Sequence, residues 1–397
     1  MKILYIHQYF KTPQQPGGTR SYWLAQELIK NGHQVTMVTT NKRQKEGVKT
    51  YDADGIKVVS YGVLYNQSMG IKDRLKSFTD FMVKSTRYAL KHSKEYDVVF
   101  ATSTPLTVGV PALFAKWFKK KKYIFEVRDL WPEVPIQMGA FKNPLIIKFT
   151  RWFEKTIYKN AEHVIALSPG MQDGVVKYIP KEKTSMIPNM SKKDEFWPRE
   201  KNYELMEQIG LKKDYLKVIH FGSLGEGNGI DTVIESAALL QNHRVQFLFL
   251  GGVLKKPQEK RIKELGITNI LLHTFTPMKV TSEIVNLCDI SLVSFKDLPI
   301  LYTNSPNKLF DSLSAGKPII VNSAGWTKDL VEQNNCGFYC NPNNPQELAD
   351  KLIALVDKQK ELEKMGQNSR KLAEDKYDKS ILVKEFVQII EKHFQQV

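Results

Sequence analysis

Short apolar runs alternate along this chain with stretches in which apolar residues recur at helical spacing. Residues 2–9, 35–39, 97–101, 123–127 and 164–167 are apolar enough for strands covered on both faces, as in a parallel sheet. Between the first two, Tyr22, Trp23, Ala25, Leu28 and Ile29 mark a helix that Asn31-Gly32-His33 stops. Residues 70–96 form a longer amphipathic segment, and residues 111–120 a further helix. Around 195–215 the text turns polar and charged, and a second series begins, with strands at 216–221, 245–250, 270–272, 290–293 and 319–321. The pattern predicts an α/β protein of two domains, with an amphipathic helix at 381–394 that follows a bend near Tyr377-Asp378.

The segment SPNKLFDSLSAGKPIIV, residues 305–321, is the most informative. Ser305 suits an N-cap and Pro306 a first helical position. Leu309, Phe310 and Leu313 share a face, and Ala315-Gly316 ends the helix before an apolar strand. Free amides at Asn307, Lys308 and Leu309 then offer the positive end of a helix to an anion, with the Lys308 ammonium beside them. Asp311 lies one turn on, where a carboxylate can accept from the hydroxyls of a ribose. An ordinary capped surface helix has the same spacing.

Two glycine-bearing loops follow strands. Gly17 and Gly18 come after the first strand, with Thr19 and Arg20 next to them; Gly222, Gly225, Gly227 and Gly229 follow the strand at 216–221. Open α/β sheets bind ligands at such carboxyl ends. GGTRSY does not supply GxGxxG, which speaks against NAD. Arg128-Asp129 ends another strand, where the pair either faces a ligand or forms a structural ion pair.

Composition narrows the class. Hydrophobic residues make up 42% and charged residues 25%, as in ordinary globular proteins. The start, MKILYIHQYF, does not read as a signal peptide and no apolar run is long enough to span a bilayer, so a cytoplasmic protein is expected. Cys288, Cys336 and Cys340 contain no CxxC pair, and neither a disulfide framework nor a zinc site is expected. The charge of +16 is lopsided: residues 1–200 carry 33 Lys and Arg against 18 Asp and Glu, residues 201–397 only 25 against 24. Nucleic acid, anionic lipid or a phosphorylated substrate could answer the basic half. Lysines and arginines interleave with Leu75, Phe78 and Phe81, follow Trp117-Phe118, and flank Phe149, Trp152 and Phe153, as on lipid-facing surfaces; core aromatics with solvated lysines are the alternative.

Gly17-Gly18, the loop 222–229, EVRDLWPE and NKLFDSLSAGKP together resemble a retaining glycosyltransferase of family 4, nearest to the fucosamine-transferase-like branch of bacterial O-antigen and capsule glycosyltransferases. The resemblance implies the GT-B fold: two Rossmann-like domains with parallel sheets facing across a cleft, and a C-terminal helix crossing back to the N-terminal domain. The domains would be 1–200 with 378–397, binding acceptor, and 201–377, binding a nucleotide-sugar donor. Three motifs differ. The family's paired glutamates fall on Thr303 and Asp311, the Arg and Lys of its glycine loop near Ser223 and Asn228, and its histidine after the N-domain strand on Arg128-Asp129.

The expected reaction moves a hexose or amino-sugar, with retention, from a nucleoside diphosphate sugar (UDP ahead of GDP) to an undecaprenyl-diphosphate-linked saccharide. Asp129, Arg128 and Lys308 are the catalytic candidates; Gly18, Ser223, Asn228, Ser305, Asn307, Lys308, Leu309 and Asp311 the donor-binding ones; Gly17, Thr19 and Arg20 the acceptor-binding ones. No cofactor or metal is expected, since a helix N-terminus and side-chain cations do the work of a divalent ion. The enzyme would sit peripherally on the inner face of the cytoplasmic membrane, its basic N-terminal domain on anionic lipid, and would not bind nucleic acid. The rival readings are a nucleotide-sugar 2-epimerase of the same fold and a basic nucleic-acid-binding protein.

Overall fold

The computed structural model describes residues 1–15, 17–41, 47–65 and 69–394. Residues 395–397, at the end of the expected closing segment, lie outside the described residues. The chain divides into two compact units: Met1–Pro13, Gly18–Pro188 and Ser380–Val397 form one, Gln14–Gly17 and Asn189–Lys379 the other.

The first unit is built on eight strands, β1 Lys2–Ile6, β2 Gln34–Asn41, β3 Val48–Ala53, β4 Ile56–Gly62, β5 Val98–Thr102, β6 Tyr123–Val127, β7 His163–Ala166 and β8 Thr184–Met186. Their order is β3-β4-β2-β1-β5-β6-β7-β8, parallel except for β3, which runs antiparallel to β4. The β3–β4 hairpin is not foreseen by the apolar-run pattern, because β3 is almost wholly exposed. Its signal is Asp54-Gly55: both residues have positive φ, 54° and 85°, as a two-residue hairpin turn demands. The basic segment forms a helix at Ile71–Lys91 and a short 3-10 turn at Ser93–Glu95. Its Phe78 and Phe81 are buried, so these two aromatics belong to the core.

The second unit has six strands, β9 Leu216–Phe221, β10 Val245–Leu250, β11 Ile270–His273, β12 Ile290–Val293, β13 Ile319–Val321 and β14 Gly337–Tyr339. They are all parallel, in the order β11-β10-β9-β12-β13-β14. Alternate residues enter different cores: Val218, Phe247 and Phe249 pack on one side, Ile219, Leu248 and Leu250 on the other. Both faces being covered, the strands read as continuous apolar runs. The three residues of β14 are too few for a periodicity; Gly337 is there because a Cβ would lie 1.9 Å from the Ile319 carbonyl oxygen.

The second unit starts at Asn189, earlier than the polar stretch around 200 suggests. Ser191 explains this: its amide donates to Tyr377 O and its carbonyl accepts from Lys379 N, each at 2.8 Å. The last helix, Lys379–Phe394, packs on the first unit. Phe386 meets Phe100 edge to face at 5.0 Å, and Glu391 reaches His33 at 3.1 Å.

Arg20, expected on the acceptor side, is an interior strut of the first unit. It is 2% exposed, its guanidinium pairs with Glu126 at 2.9 Å, and its remaining N–H groups donate to the carbonyls of Ile187 and Pro188. Glu126 is fully buried and also accepts from Thr102. This pair ties the helix after β1 to β6 and to the chain beyond β8. Removing one member leaves the other charge buried alone, which costs ~3–5 kcal/mol. Arg20→Ala and Glu126→Ala should each lower unfolding free energy by about that amount in urea titrations, and a loss under ~1 kcal/mol would mean the pair is solvated.

Candidate functional site

In the second unit the strand order reverses between β9 and β12, the place where open α/β sheets leave a crevice at their carboxyl ends. The glycine loop leaves β9 there. The segment after β12 runs through the turn Pro299–Thr303 to the helix Asn307–Ser314, anchored by the fully buried Leu309, Phe310 and Leu313. These anchors direct the first turn, with Lys308, at the loop.

Lys308 Nζ lies 2.9 Å from His220 Nε2, on β9, and 3.4 Å from Asn228 Oδ1, in the glycine loop. The other ring nitrogen of His220 is 3.3 Å from Ser294 Oγ, which donates to Asn228 O at 2.7 Å. The network is consistent with a neutral imidazole, its Nε2 accepting from the lysine and its Nδ1–H donating to the serine. Burial and the Lys308 charge hold His220 well below the usual imidazole range. Burial in turn pushes the Lys308 ammonium down to about 7. Among the described residues no carboxylate pairs with Lys308. Gly222, at φ 106°, keeps the space open, since a Cβ there would stand 3.6 Å from Lys308 Cε. A half-buried cation that faces a glycine loop, with no counter-charge of its own, is suited to an incoming anion.

Several expected roles are redrawn. Ser305 does not cap the helix, which begins at Asn307 after Pro306; its hydroxyl accepts from the Asn189 amide at 3.1 Å. The Leu309 amide donates to Pro306 O at 3.1 Å, so Asn307 and Lys308 remain the first-turn donors. Asp311 is 7% exposed and sits 2.8 Å from Lys192, so its carboxylate is committed to a buried pair within its unit and not left at the helix mouth. Burial still raises its pKa despite the lysine. Ser223 Oγ accepts from the Gly225 amide at 3.2 Å, shaping the loop. His220 was missed because nothing in a strand sequence says which residue 88 positions away it will meet.

In the first unit the reversal lies between β1 and β5. Here Arg128 and Asp129 do not pair with each other among the described residues. The Arg128 guanidinium approaches His7 Nε2 at 3.3 Å, its amide donates to Ser103 Oγ at 2.9 Å, and Asp129 accepts from Thr104 Oγ1 at 2.7 Å. Burial pushes the Asp129 carboxyl up, against the Thr104 hydroxyl and the Arg128 charge. His7 directly follows β1 at this point and joins the candidates. Gly17 is exposed, Gly18 is partly so, and Thr19 is buried, accepting from Trp23 Nε1 at 3.1 Å.

The first unit also presents a basic, aromatic surface. On the helix Pro144–Asn160, Leu145, Ile146, Phe149 and Trp152 are exposed, Leu145 by 75% and Phe149 by 60%. Trp117 and Phe118, 65% exposed, end the helix Gly109–Lys119, and Trp117 Nε1 donates to Asn160 Oδ1 at 3.2 Å, joining the two helices. Lys119–Lys122, Lys148, Arg151 and Lys155 neighbour them in the sequence. Among the described residues, no helix is long and apolar enough to cross a membrane, and no group of three or more His, Cys, Asp and Glu could hold a metal ion.

Two family models match this chain: a glycosyl transferase 4-like domain over residues 17–190 and glycosyl transferases group 1 over residues 202–372. A probable glycosyltransferase, WbjE of Pseudomonas aeruginosa, is 22% identical over 80% of this chain and 79% of its own. A putative colanic acid biosynthesis glycosyl transferase, WcaI of Escherichia coli, is 23% identical over 63% and 62%. Among solved structures, Anabaena HepE in complex with UDP-glucose superposes with a TM-score of 0.72 at 18% identity, over 99% of this chain and all of that one. The chain belongs to the group 1, 4-like glycosyltransferases, and its two Rossmann-like units are those of the GT-B fold. The fucosamine-transferase-like branch is a finer assignment than these matches make.

The depressed pKa of Lys308 has a consequence for stability. Unfolded, a lysine keeps its proton to about 10.4; folded, Lys308 loses it near 7. Between these limits the unfolded chain holds more protons, so the burial penalty is greatest below pH 7 and is relieved as pH rises. Lys308→Met should therefore be more stable than wild type at pH 6, with the advantage shrinking toward pH 10 in chemical denaturation. An advantage independent of pH would show that the ammonium is not desolvated.

Proposed function

We propose that this enzyme transfers a sugar, with retention of anomeric configuration, from a nucleoside diphosphate sugar, UDP ahead of GDP, to a lipid-linked saccharide of the cell-surface polysaccharide type. The observation that carries the donor half is Lys308: a desolvated ammonium on a neutral histidine, without a carboxylate partner among the described residues, at the strand-order reversal of the second unit. The reaction expels a diphosphate, and negative charge grows on its β-phosphate as the glycosidic bond breaks. A lysine already partly withdrawn from water interacts with that charge more strongly than one in bulk solvent. The amides of Asn307 and Lys308 and the carboxamide of Asn228 complete the donor set, and the reading asks for no metal ion. Asp129 and Arg128 are assigned to orienting the sugar or the acceptor hydroxyl, with His7 positioning Arg128.

Membrane association belongs to the same reading. The exposed Phe149, Trp152, Trp117 and Phe118 supply rings for the headgroup level and the lysines that neighbour them in the sequence attract anionic lipid, which a lipid-linked acceptor requires. The UDP-glucose in HepE and the colanic acid role in the name of WcaI are in keeping with the donor and pathway class. The neutral charge balance of residues 201–397 argues against a nucleic-acid protein, and an epimerase is distinguished by product analysis without acceptor.

Thermal shifts with UDP, GDP, ADP and NAD test the donor. A ligand seen only by the folded state stabilises with the logarithm of its concentration. UDP should raise the melting temperature of wild type and much less that of Lys308→Ala; equal shifts in both would remove Lys308 from the site. For the membrane, wild type should sediment with vesicles containing anionic lipid at low salt. Phe149→Glu with Trp152→Glu should lose most of that binding while melting normally, because both side chains are exposed. Unchanged sedimentation would leave the patch without this role.

A further inference from the structure

His220 stands inside the apolar run 218–221 of β9 and is fully buried, with Phe249 of β10 edge-on to its ring at 6.2 Å. Its tautomer is fixed by a neighbour. Ser294, directly after β12, spends its hydroxyl hydrogen on Asn228 O at 2.7 Å, so its oxygen is left to accept from His220 Nδ1, 3.3 Å away. The ring hydrogen therefore sits on Nδ1, and Nε2 presents a lone pair. Lys308 Nζ meets that lone pair at 2.9 Å. Burial and the Lys308 charge keep the ring neutral, against backbone hydrogen bonds at Ser223 and Leu292 that favour charging it.

A neutral acceptor does for a buried lysine what a carboxylate would not: it holds the amine in one direction without cancelling its charge. The carboxylates nearby are spent elsewhere. Glu226 of the glycine loop pairs with Lys255 and Lys296, and Asp311, one turn along the helix from Lys308, pairs with Lys192. Asn228 Oδ1, 3.4 Å from Nζ, carries no charge either. Buried beside neutral partners, the amine gives up its proton near pH 7. An anion set against it favours the charged form and restores that proton.

We infer that His220 is a positioning residue for the donor: it aims the Lys308 amine at the glycine loop and leaves it uncompensated, so that the arriving diphosphate and a proton bind together. The inference rests on the donor-site reading above and adds the regulation of that site by pH. The proton comes from solvent and ends on Nζ, and no bond of the donor breaks in this step. Above pH 7 the free protein holds fewer protons than the complex, so donor affinity falls as pH rises. Below pH 7 the amine is charged already, and this dependence fades.

Calorimetric titration with UDP at pH 8, in two buffers of different ionisation enthalpy, counts the protons taken up. A terminal phosphate ionises near 6 and is silent there. Wild type should take up close to one proton per UDP, and its affinity should fall roughly tenfold per pH unit between pH 7.5 and 8.5. The uptake should vanish in Lys308→Met, which assigns the proton to this amine. His220→Phe keeps a ring in the core but removes the acceptor; it should weaken UDP binding roughly five- to twentyfold at pH 7 and move the fall in affinity to lower pH. His220→Gln, whose amide oxygen can accept where Nε2 does, should recover most of the affinity. If wild type binds UDP without taking up a proton, or if the uptake persists in Lys308→Met, the inference is overturned and the donor site stands. A His220→Phe variant with weaker binding but an unmoved pH profile would make His220 a packing residue only, which overturns it equally. If wild type binds no UDP at any pH, the donor-site reading itself fails and the inference falls with it.

Discussion

A parallel sheet covered on both faces has nowhere to put polar chemistry except at its strand ends. Each strand interior is a continuous apolar run, and its backbone groups are spent on the neighbouring strands, so a charged group placed there would lie buried without water. Both units of this chain obey that constraint. Their functional candidates, Lys308 with His220 and the glycine loop in one, Asp129 with Arg128 and His7 in the other, gather at the strand-order reversals, where adjacent connections leave to opposite sides of the sheet. Charges within strands are tolerated where they are paired: Arg20 and Thr102 neutralise and bond Glu126, and Asp289 pairs with Lys217.

The two reversals are equipped differently. The second unit offers cationic and amide donors with, among the described residues, no opposing carboxylate on Lys308, which is the polarity of an anion site. The first unit offers a carboxylate whose protonation is favoured by burial, beside an arginine that rests on a histidine. Lys192 and Asp311 show the contrast: they too are buried, but they satisfy each other, and a satisfied pair is a structural element. The discriminating property is thus whether the charge retains a partner of its own.

Much of this was readable from local pattern. The apolar runs marked the strands with the most burial, and the face Leu309, Phe310, Leu313 marked the helix that carries Lys308. The β3–β4 hairpin escaped because β3 is an exposed edge strand and its only strong signal is the Asp54-Gly55 turn. Ser305 read as a cap by residue type, but a hydroxyl bonds whichever amide the fold brings to it, and here that is Asn189.

By itself the sequence determined the α/β alternation, the division into two series, the glycine loops and the interleaving of basic with aromatic residues, because each depends on residues within a few positions of one another. Only the tertiary structure decided the partners of the polar groups. Arg20 meets Glu126 across 106 positions and Lys308 meets His220 across 88. Periodicity reports which face a residue turns to the core; it contains nothing about which distant group waits there. Whether a given charge becomes a strut or stays available to a ligand is settled by that encounter, through desolvation and hydrogen bonding at a distance of about 3 Å.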